Sequence, residues 1–126
     1  AELQGLIDAA FSADSVDAIL QRLDTDGGEW ATKTAETIRS KSPLSTRVAY
    51  GQIRAGAELD FEDCMSLEFR LTNRFMAAPD FYEGVRAVVI DKDQAPKWQP
   101  ASLDAVTDEQ VAGYFASLGE NELTFD

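Results

Sequence analysis

The sequence predicts an all-α fold, one compact multi-helix domain over residues 1–126, and three observations carry that prediction. Apolar residues recur at helical spacing along most of the chain. Capping residues stand ahead of these stripes, and glycine or proline follows them. At 44% hydrophobic residues in a chain of 126, a core can form without a disulfide or metal staple.

Leu3, Leu6, Ile7, Ala10 and Phe11 share one face of a first helix, from about residue 2 to 11. Asp14 is a candidate cap for a second helix, with Asp17 favouring the same N-terminus; Val16, Ile19, Leu20 and Leu23 are its buried stripe, and Gly27 and Gly28 stop it. Trp30, Ala31, Thr34, Ala35 and Ile38 mark a third helix, from about residue 29 to 40, ending before Pro43. Ser42 as N-cap and Pro43 at the first helical position open a fourth helix through Val48 toward Ile53, whose far end Gly51 and Gly56 blur.

A capping box of Asp60 and Asp63, with Leu59 and Cys64 as a staple, opens a fifth helix expected from about residue 61 to 78. Cys64, Leu67, Leu71, Phe75 and Ala78 form one stripe on it, and Phe61, Met65, Phe69 and Met76 a second beside it. Together they span roughly 200°, wider than an outer helix of a small bundle needs. Two readings follow: a central helix of this domain, or a helix facing a partner. Glu68 falls inside the arc, where a carboxylate needs a partner. Pairing with Arg70, Arg74 or Arg86 is favoured there over a catalytic role, since nothing else completes a catalytic set.

Pro79 ends the fifth helix, and Asp80 with Glu83 is expected to cap a sixth carrying Phe81, Val85, Val88 and Val89, although Val88 to Ile90 also suits a strand. Gly84 inside it points to close backbone packing. Two prolines give residues 92–100 an extended path, with Trp98 folding back as an anchor. Thr107 and Gln110 cap a last helix bearing Val111, Tyr114, Phe115 and Leu118, ended by Gly119 and followed by a loose acidic tail.

The formal net charge of −12 argues against a nucleic-acid partner, which needs a clustered basic face. The 11 basic residues are concentrated in the middle of the chain, so an anionic ligand would have to meet that part. Histidine is absent, which removes the commonest general base and metal ligand. The lone Cys64 forms no internal disulfide or zinc site, consistent with a reducing compartment. No stretch reaches the roughly 20 apolar residues of a membrane span, and residues 1–11 lack the basic start of a signal peptide. No membrane partner, cofactor or metal is expected.

The stretch from Cys64 to Trp98 reads CMSLEFRLTNRFMAAPDFYEGVRAVVIDKDQAPKW, and its densest part is DFYEGVRAVVIDKDQAPKW. It resembles the C-terminal signature of the 3-hydroxyisobutyryl-CoA hydrolases of the enoyl-CoA hydratase, or crotonase, superfamily. IDAAFSADSVDAIL, KSPLS and VTDEQVAGYFASLG extend the resemblance over nearly the whole chain. It implies the helical C-terminal domain of an enzyme of valine catabolism that hydrolyses a branched acyl-CoA thioester, here without the spiral β/α core. The family's oxyanion hole and reacting carboxylates lie in that core, so no residue of this chain is named catalytic and the chain alone is expected to be inactive. The resemblance further implies a cover over the acyl-CoA cleft, subunit contacts in a homo-oligomer, and a base near the nucleotide end of CoA. Lys92 corresponds to that base, with Arg86 as a weaker candidate; Val88 stands where many relatives have phenylalanine. For Lys92, a solvated charge between Asp91 and Asp93 is the competing reading.

Two other readings stay open: a segment of an enoyl-CoA hydratase/isomerase-like protein, and a freestanding helical interaction domain using the wide face of the fifth helix. The expected compartment is the cytoplasm, with the mitochondrial matrix as the alternative.

Overall fold

The computed structural model describes residues 2–125, which form seven α-helices and no strand. These are α1 (Glu2–Phe11), α2 (Val16–Asp26), α3 (Glu29–Ser40), α4 (Pro43–Gly56), α5 (Phe61–Met76), α6 (Pro79–Val85) and α7 (Asp108–Phe115). A π-helical turn, Arg86–Ile90, continues α6, and short 3-10 turns lie at Leu103–Ala105 and Gly119–Asn121. The all-α expectation holds. No helix among the described residues is long and apolar enough to cross a membrane.

The apolar stripes close into two sub-cores. Ala10, Val16, Ile19, Leu20, Leu23, Ala31 and Ala35 bury the facing sides of α1, α2 and α3, with Trp30 and Ile38 packed against them. Leu44, Val48, Leu67, Leu71 and Val106 form the second, between α4, α5 and the chain leading into α7, with Phe75, Tyr114 and Phe115 at its edge. Helix α4 joins the two. Its Tyr50 hydroxyl and Arg54 guanidinium both donate to the carbonyl of Ala13, each at 2.8 Å. Arg47 donates to Asp17 at 2.8 Å and to the carbonyl of Leu103 at 3.2 Å. Gly51 does not end α4; a Cβ there would come within 2.9 Å of the Phe115 ring, so glycine lets α7 close on α4.

Several boundaries follow the predicted chemistry. Ser42 caps α4 by accepting from the Ser45 amide, with Pro43 in the first turn, and Asp60 caps α5 by accepting from Asp63. Thr107 and Gln110 form a reciprocal capping box. Gly27 ends α2 in the left-handed region, at φ 68°, where glycine carries no Cβ penalty.

Others differ. Ser15 rather than Asp14 caps α2, accepting from the Ala18 amide. Ala78 precedes α6, and Asp80 and Glu83 make no capping box; both carboxylates bond to residues beyond the helix start. Helix α5 stops at Met76 and α7 at Phe115, both short of the predicted ends. Val88 to Ile90 is neither strand nor regular α-helix: the Asp91 amide reaches back five residues to the Arg86 carbonyl at 2.8 Å. Glu68 is exposed and makes no ion pair among the described residues, because Arg70 pairs with Glu122, Arg86 with Glu83, Asp91 and Asp93, and Arg74 donates to the Ser117 carbonyl. The same Glu122 fastens the segment expected to be loose, since its second oxygen accepts from the Leu118 amide.

Replacing Asp80 with alanine strands the Ser42 hydroxyl and the Gln99 amide, both of which it accepts from. The expected loss is about 1–3 kcal/mol in urea denaturation. A change below about 0.3 kcal/mol would contradict the role given to this carboxylate.

Candidate functional site

Ser42, Asp80, Glu83, Arg86, Lys92 and Trp98 converge on one corner, built from the end of α3, the start of α4, α6, the π-helical turn and the extended chain after it, whereas Glu68, Arg70 and Arg74 lie apart from it on α5. Asp80, in the first turn of α6, is only 6% exposed. Ser42 donates its hydroxyl to one Asp80 oxygen at 2.5 Å, and the Gln99 amide donates to the other at 2.8 Å. Trp98 donates its indole N–H to the Ser40 carbonyl at 3.0 Å. A Cβ on Gly84 would meet the Trp98 ring at 3.3 Å, so glycine admits the ring against α6. The anchoring role expected of Trp98 is thus realised, and close packing explains Gly84.

Beyond this knot, Arg86 organises the turn from Ile90 to Lys97. Its guanidinium donates to Glu83 through two nitrogens at 2.8 and 2.7 Å, and to Asp91 and Asp93 at 2.8 Å each. Glu83 also accepts from the Lys97 amide at 2.8 Å, and Asp93 from the Ala95 amide at 2.9 Å. Lys92 and Gln94 both take positive φ, 56° and 55°, and the Gln94 amide returns to the Ala87 carbonyl at 3.0 Å. The backbone therefore folds back sharply. Lys92 is exposed and makes no ion pair among the described residues. The two aspartates beside it in sequence are both turned to Arg86. Lys92 and Arg86 thus stand in one turn in opposite conditions, one ammonium open to solvent and one guanidinium saturated by carboxylates.

Electrostatics match this geometry. Glu83 is held down from 4.5 to about 2, first by its bond from Arg86 and then by the Lys97 amide. Asp93 is lowered by the same guanidinium and by the Ala95 amide, and Arg86 is raised by its bonds to Glu83, Asp93 and Asp91. The roles of Asp91 and Asp93 were missed in the sequence, and their alternation around Lys92, five and seven residues after Arg86, is the signal that could have shown them; Asp80 was read as a cap, and its bonds to Ser42 and Gln99 carry no local signal.

Next to the knot lies an open, mostly apolar groove of about 470 Å³, walled by Phe75, Phe81, Val85, Val89 and Trp98, with Lys41 at its edge. Ser42 borders it, but its hydroxyl donates to Asp80 and its oxygen accepts from the Ser45 amide. A serine so engaged is a cap and a tie, not an activated nucleophile.

The Glu83 shift yields a pH prediction. A folded value below the unfolded one means that the stabilisation is complete above about 4.5 and is lost as pH falls toward about 2. A carbon-13 titration of the Glu83 carboxyl should show a midpoint near 2, returning toward the ordinary range in Arg86→Gln. A midpoint near 4.5 in the unaltered chain would contradict the arrangement.

Comparison with known proteins places these features in a family. The chicken (Gallus gallus) protein named 3-hydroxyisobutyryl-CoA hydrolase, mitochondrial, is 47% identical over 117 residues, covering 93% of this chain and 30% of its own length. The human (Homo sapiens) protein of that name is 40% identical over 119 residues, covering 94% and 31%. Among solved structures, a carnitinyl-CoA dehydratase from Mycobacterium thermoresistibile superposes with a TM-score of 0.91 at 32% identity, over 99% of this chain and 36% of that one. An enoyl-CoA hydratase from Rhodobacter sphaeroides 2.4.1 gives 0.89 at 34%, over 98% and 37%. The chain thus spans about 30% of the length of the curated relatives it matches. The family profile described as Enoyl-CoA hydratase/isomerase matches residues 1–115, and the chain belongs to that family.

Proposed function

We propose that this chain acts as the C-terminal helical segment of a thioester hydrolase of the 3-hydroxyisobutyryl-CoA hydrolase type, in valine breakdown. In this reading it covers and helps assemble a hydratase-like core that holds the reacting groups. The observation that carries the proposal is the 40–47% identity to hydrolases of that name, combined with a match to only 30–31% of their length. The solved neighbours named as a dehydratase and a hydratase favour the second reading, a segment of a hydratase-like enzyme, but at 32–34% identity. The relatives' names include mitochondrial, which supports the matrix over the cytoplasm expected first.

Lys92 is the proposed contact to the phosphates at the nucleotide end of CoA. Support comes from its exposure, its place at a sharp bend, and the engagement of Asp91 and Asp93 by Arg86, which leaves its charge without an internal partner in the turn. Arg86, the weaker candidate, has its guanidinium occupied, so its proposed part is to hold the bend that presents Lys92.

Hydrolysis of 3-hydroxyisobutyryl-CoA should be undetectable with this chain alone and present when it is joined to the sequence preceding it in its own gene. Turnover by the isolated chain would overturn the assignment of the reacting groups to the core. In the joined protein, Lys92→Ala should raise KM for the CoA thioester about tenfold with little change in kcat, the loss of roughly one charge-assisted hydrogen bond. An equal rise with a thioester lacking the nucleotide would contradict a phosphate contact.

A further inference from the structure

Three N–H donors converge on the two carboxylate oxygens of Glu83. Arg86 approaches edge-on, its Nε donating to Oε1 at 2.8 Å and its Nη2 to Oε2 at 2.7 Å, and the Lys97 amide donates to Oε2 at 2.8 Å. Glu83 and Arg86 stand three residues apart, so the forked pair is built along α6 and the π-helical turn that continues it. Lys97 lies 14 residues beyond Glu83, where the chain returns from the bend. One carboxylate therefore ties the start of the reversal to its end.

The fork also decides what remains of the guanidinium. With Nε and Nη2 turned to Glu83, Nη1 faces the bend, and there it donates to both Asp91 and Asp93 at 2.8 Å. Those two carboxylates repel one another and are exposed, so they stay together only while the guanidinium between them is held in place. Lys92 sits between them at φ 56°, a conformation that persists in a non-glycine residue when its surroundings determine it. Three donors on two oxygens is a demand that an ionised carboxylate meets and its amide does not. A glutamine would set its NH2 group against either the guanidinium or the Lys97 N–H, donor against donor. A surface ion pair makes no such demand, since water replaces it at little cost.

We infer that Glu83 is a positioning residue for the CoA contact: through Arg86 and the Lys97 amide it fixes the bend, and so sets where the Lys92 ammonium stands, without itself touching the ligand. The inference rests on the proposed contact between Lys92 and the CoA phosphates.

The test uses the full chain, this segment joined to its own upstream sequence. Glu83→Gln keeps the size of the side chain and removes one acceptor. Amide hydrogen exchange over residues 91–97, followed by mass spectrometry, should quicken at least about tenfold, with exchange in α4 around Val48 unchanged. KM for the CoA thioester should rise about fivefold at constant kcat, with no rise for a thioester lacking the nucleotide. In a Lys92→Ala background the same substitution should leave KM where Lys92→Ala puts it, a non-additivity that a general loss of structure does not produce. Arg86→Lys, which keeps the charge and loses the fork, should reproduce these effects from the other side of the pair. Unchanged exchange over 91–97 would overturn the inference, as would a KM rise equally large in the Lys92→Ala background or with the nucleotide-free thioester. Exchange that quickens while Lys92→Ala alone leaves KM unaltered would instead fault the phosphate contact and leave the hold of Glu83 on the bend standing.

Discussion

Asp80 gives one carboxylate oxygen to the Ser42 hydroxyl and the other to the Gln99 amide, and these two bonds hold three distant pieces of chain at one point. Ser42 is also the cap of α4, so the same hydroxyl group that fixes the corner between α3 and α4 fixes the start of α6. Gln99 follows Trp98, whose indole reaches the Ser40 carbonyl just before that corner. A carboxylate this deeply buried is tolerated only when its oxygens are satisfied. That requirement runs in both directions: the partners fix Asp80, and Asp80 fixes where α6 and the returning chain can lie.

From that point the rest of the site follows outward. With α6 held at its first turn and Trp98 laid over Gly84, the chain between them must reverse, and two residues with positive φ and a π-helical turn accomplish it. Backbone conformations of that sort persist only when surrounding bonds determine them. Arg86 supplies those bonds by collecting three carboxylates from both ends of the reversal. The bridge between the sub-cores works in the same way. Tyr50 and Arg54 of α4 donate to the Ala13 carbonyl at the α1–α2 junction, and Arg47 shares the Leu103 carbonyl with the Val106 amide, so polar groups on one helix determine how two apolar clusters sit together.

What was legible in the sequence was local. Stripes at helical spacing located every α-helix, and Ser42, Pro43, Asp60, Thr107 and Gly27 marked ends correctly because a cap acts on amides or carbonyls within one turn. Two of the misreadings came where a side chain capable of local bonding was claimed from far away. Asp80 and Glu83 have capping-box spacing, yet their partners lie up to 38 and 14 residues off. Glu122 sits in an acidic run that reads as a loose tail, and Arg70, 52 residues earlier, ties it down. Width of the apolar arc on α5 was also legible, and of its two readings the bare second stripe favours the one with a missing partner. Glu68 was assigned an internal partner on the assumption that the whole arc is buried in this chain, and it is not.

The carboxylates with shifted ionisation behave as paired anchors. A general base working near neutral pH needs a carboxylate raised well above its ordinary value, by burial or by a like charge. Here the carboxylates that depart from ordinary behaviour, Asp24, Glu83, Asp93 and Glu122, are all lowered, each chiefly by an arginine bonded to it. Such groups stay ionised and paired across the physiological range, which suits anchors. Tyr114 moves the other way, raised by burial and then by the Asp80 charge, and so keeps its proton. Histidine is absent from the sequence, and the Ser42 hydroxyl is committed to Asp80. The same commitments make the corner rigid, and a rigid corner is what the proposed placement of Lys92 requires.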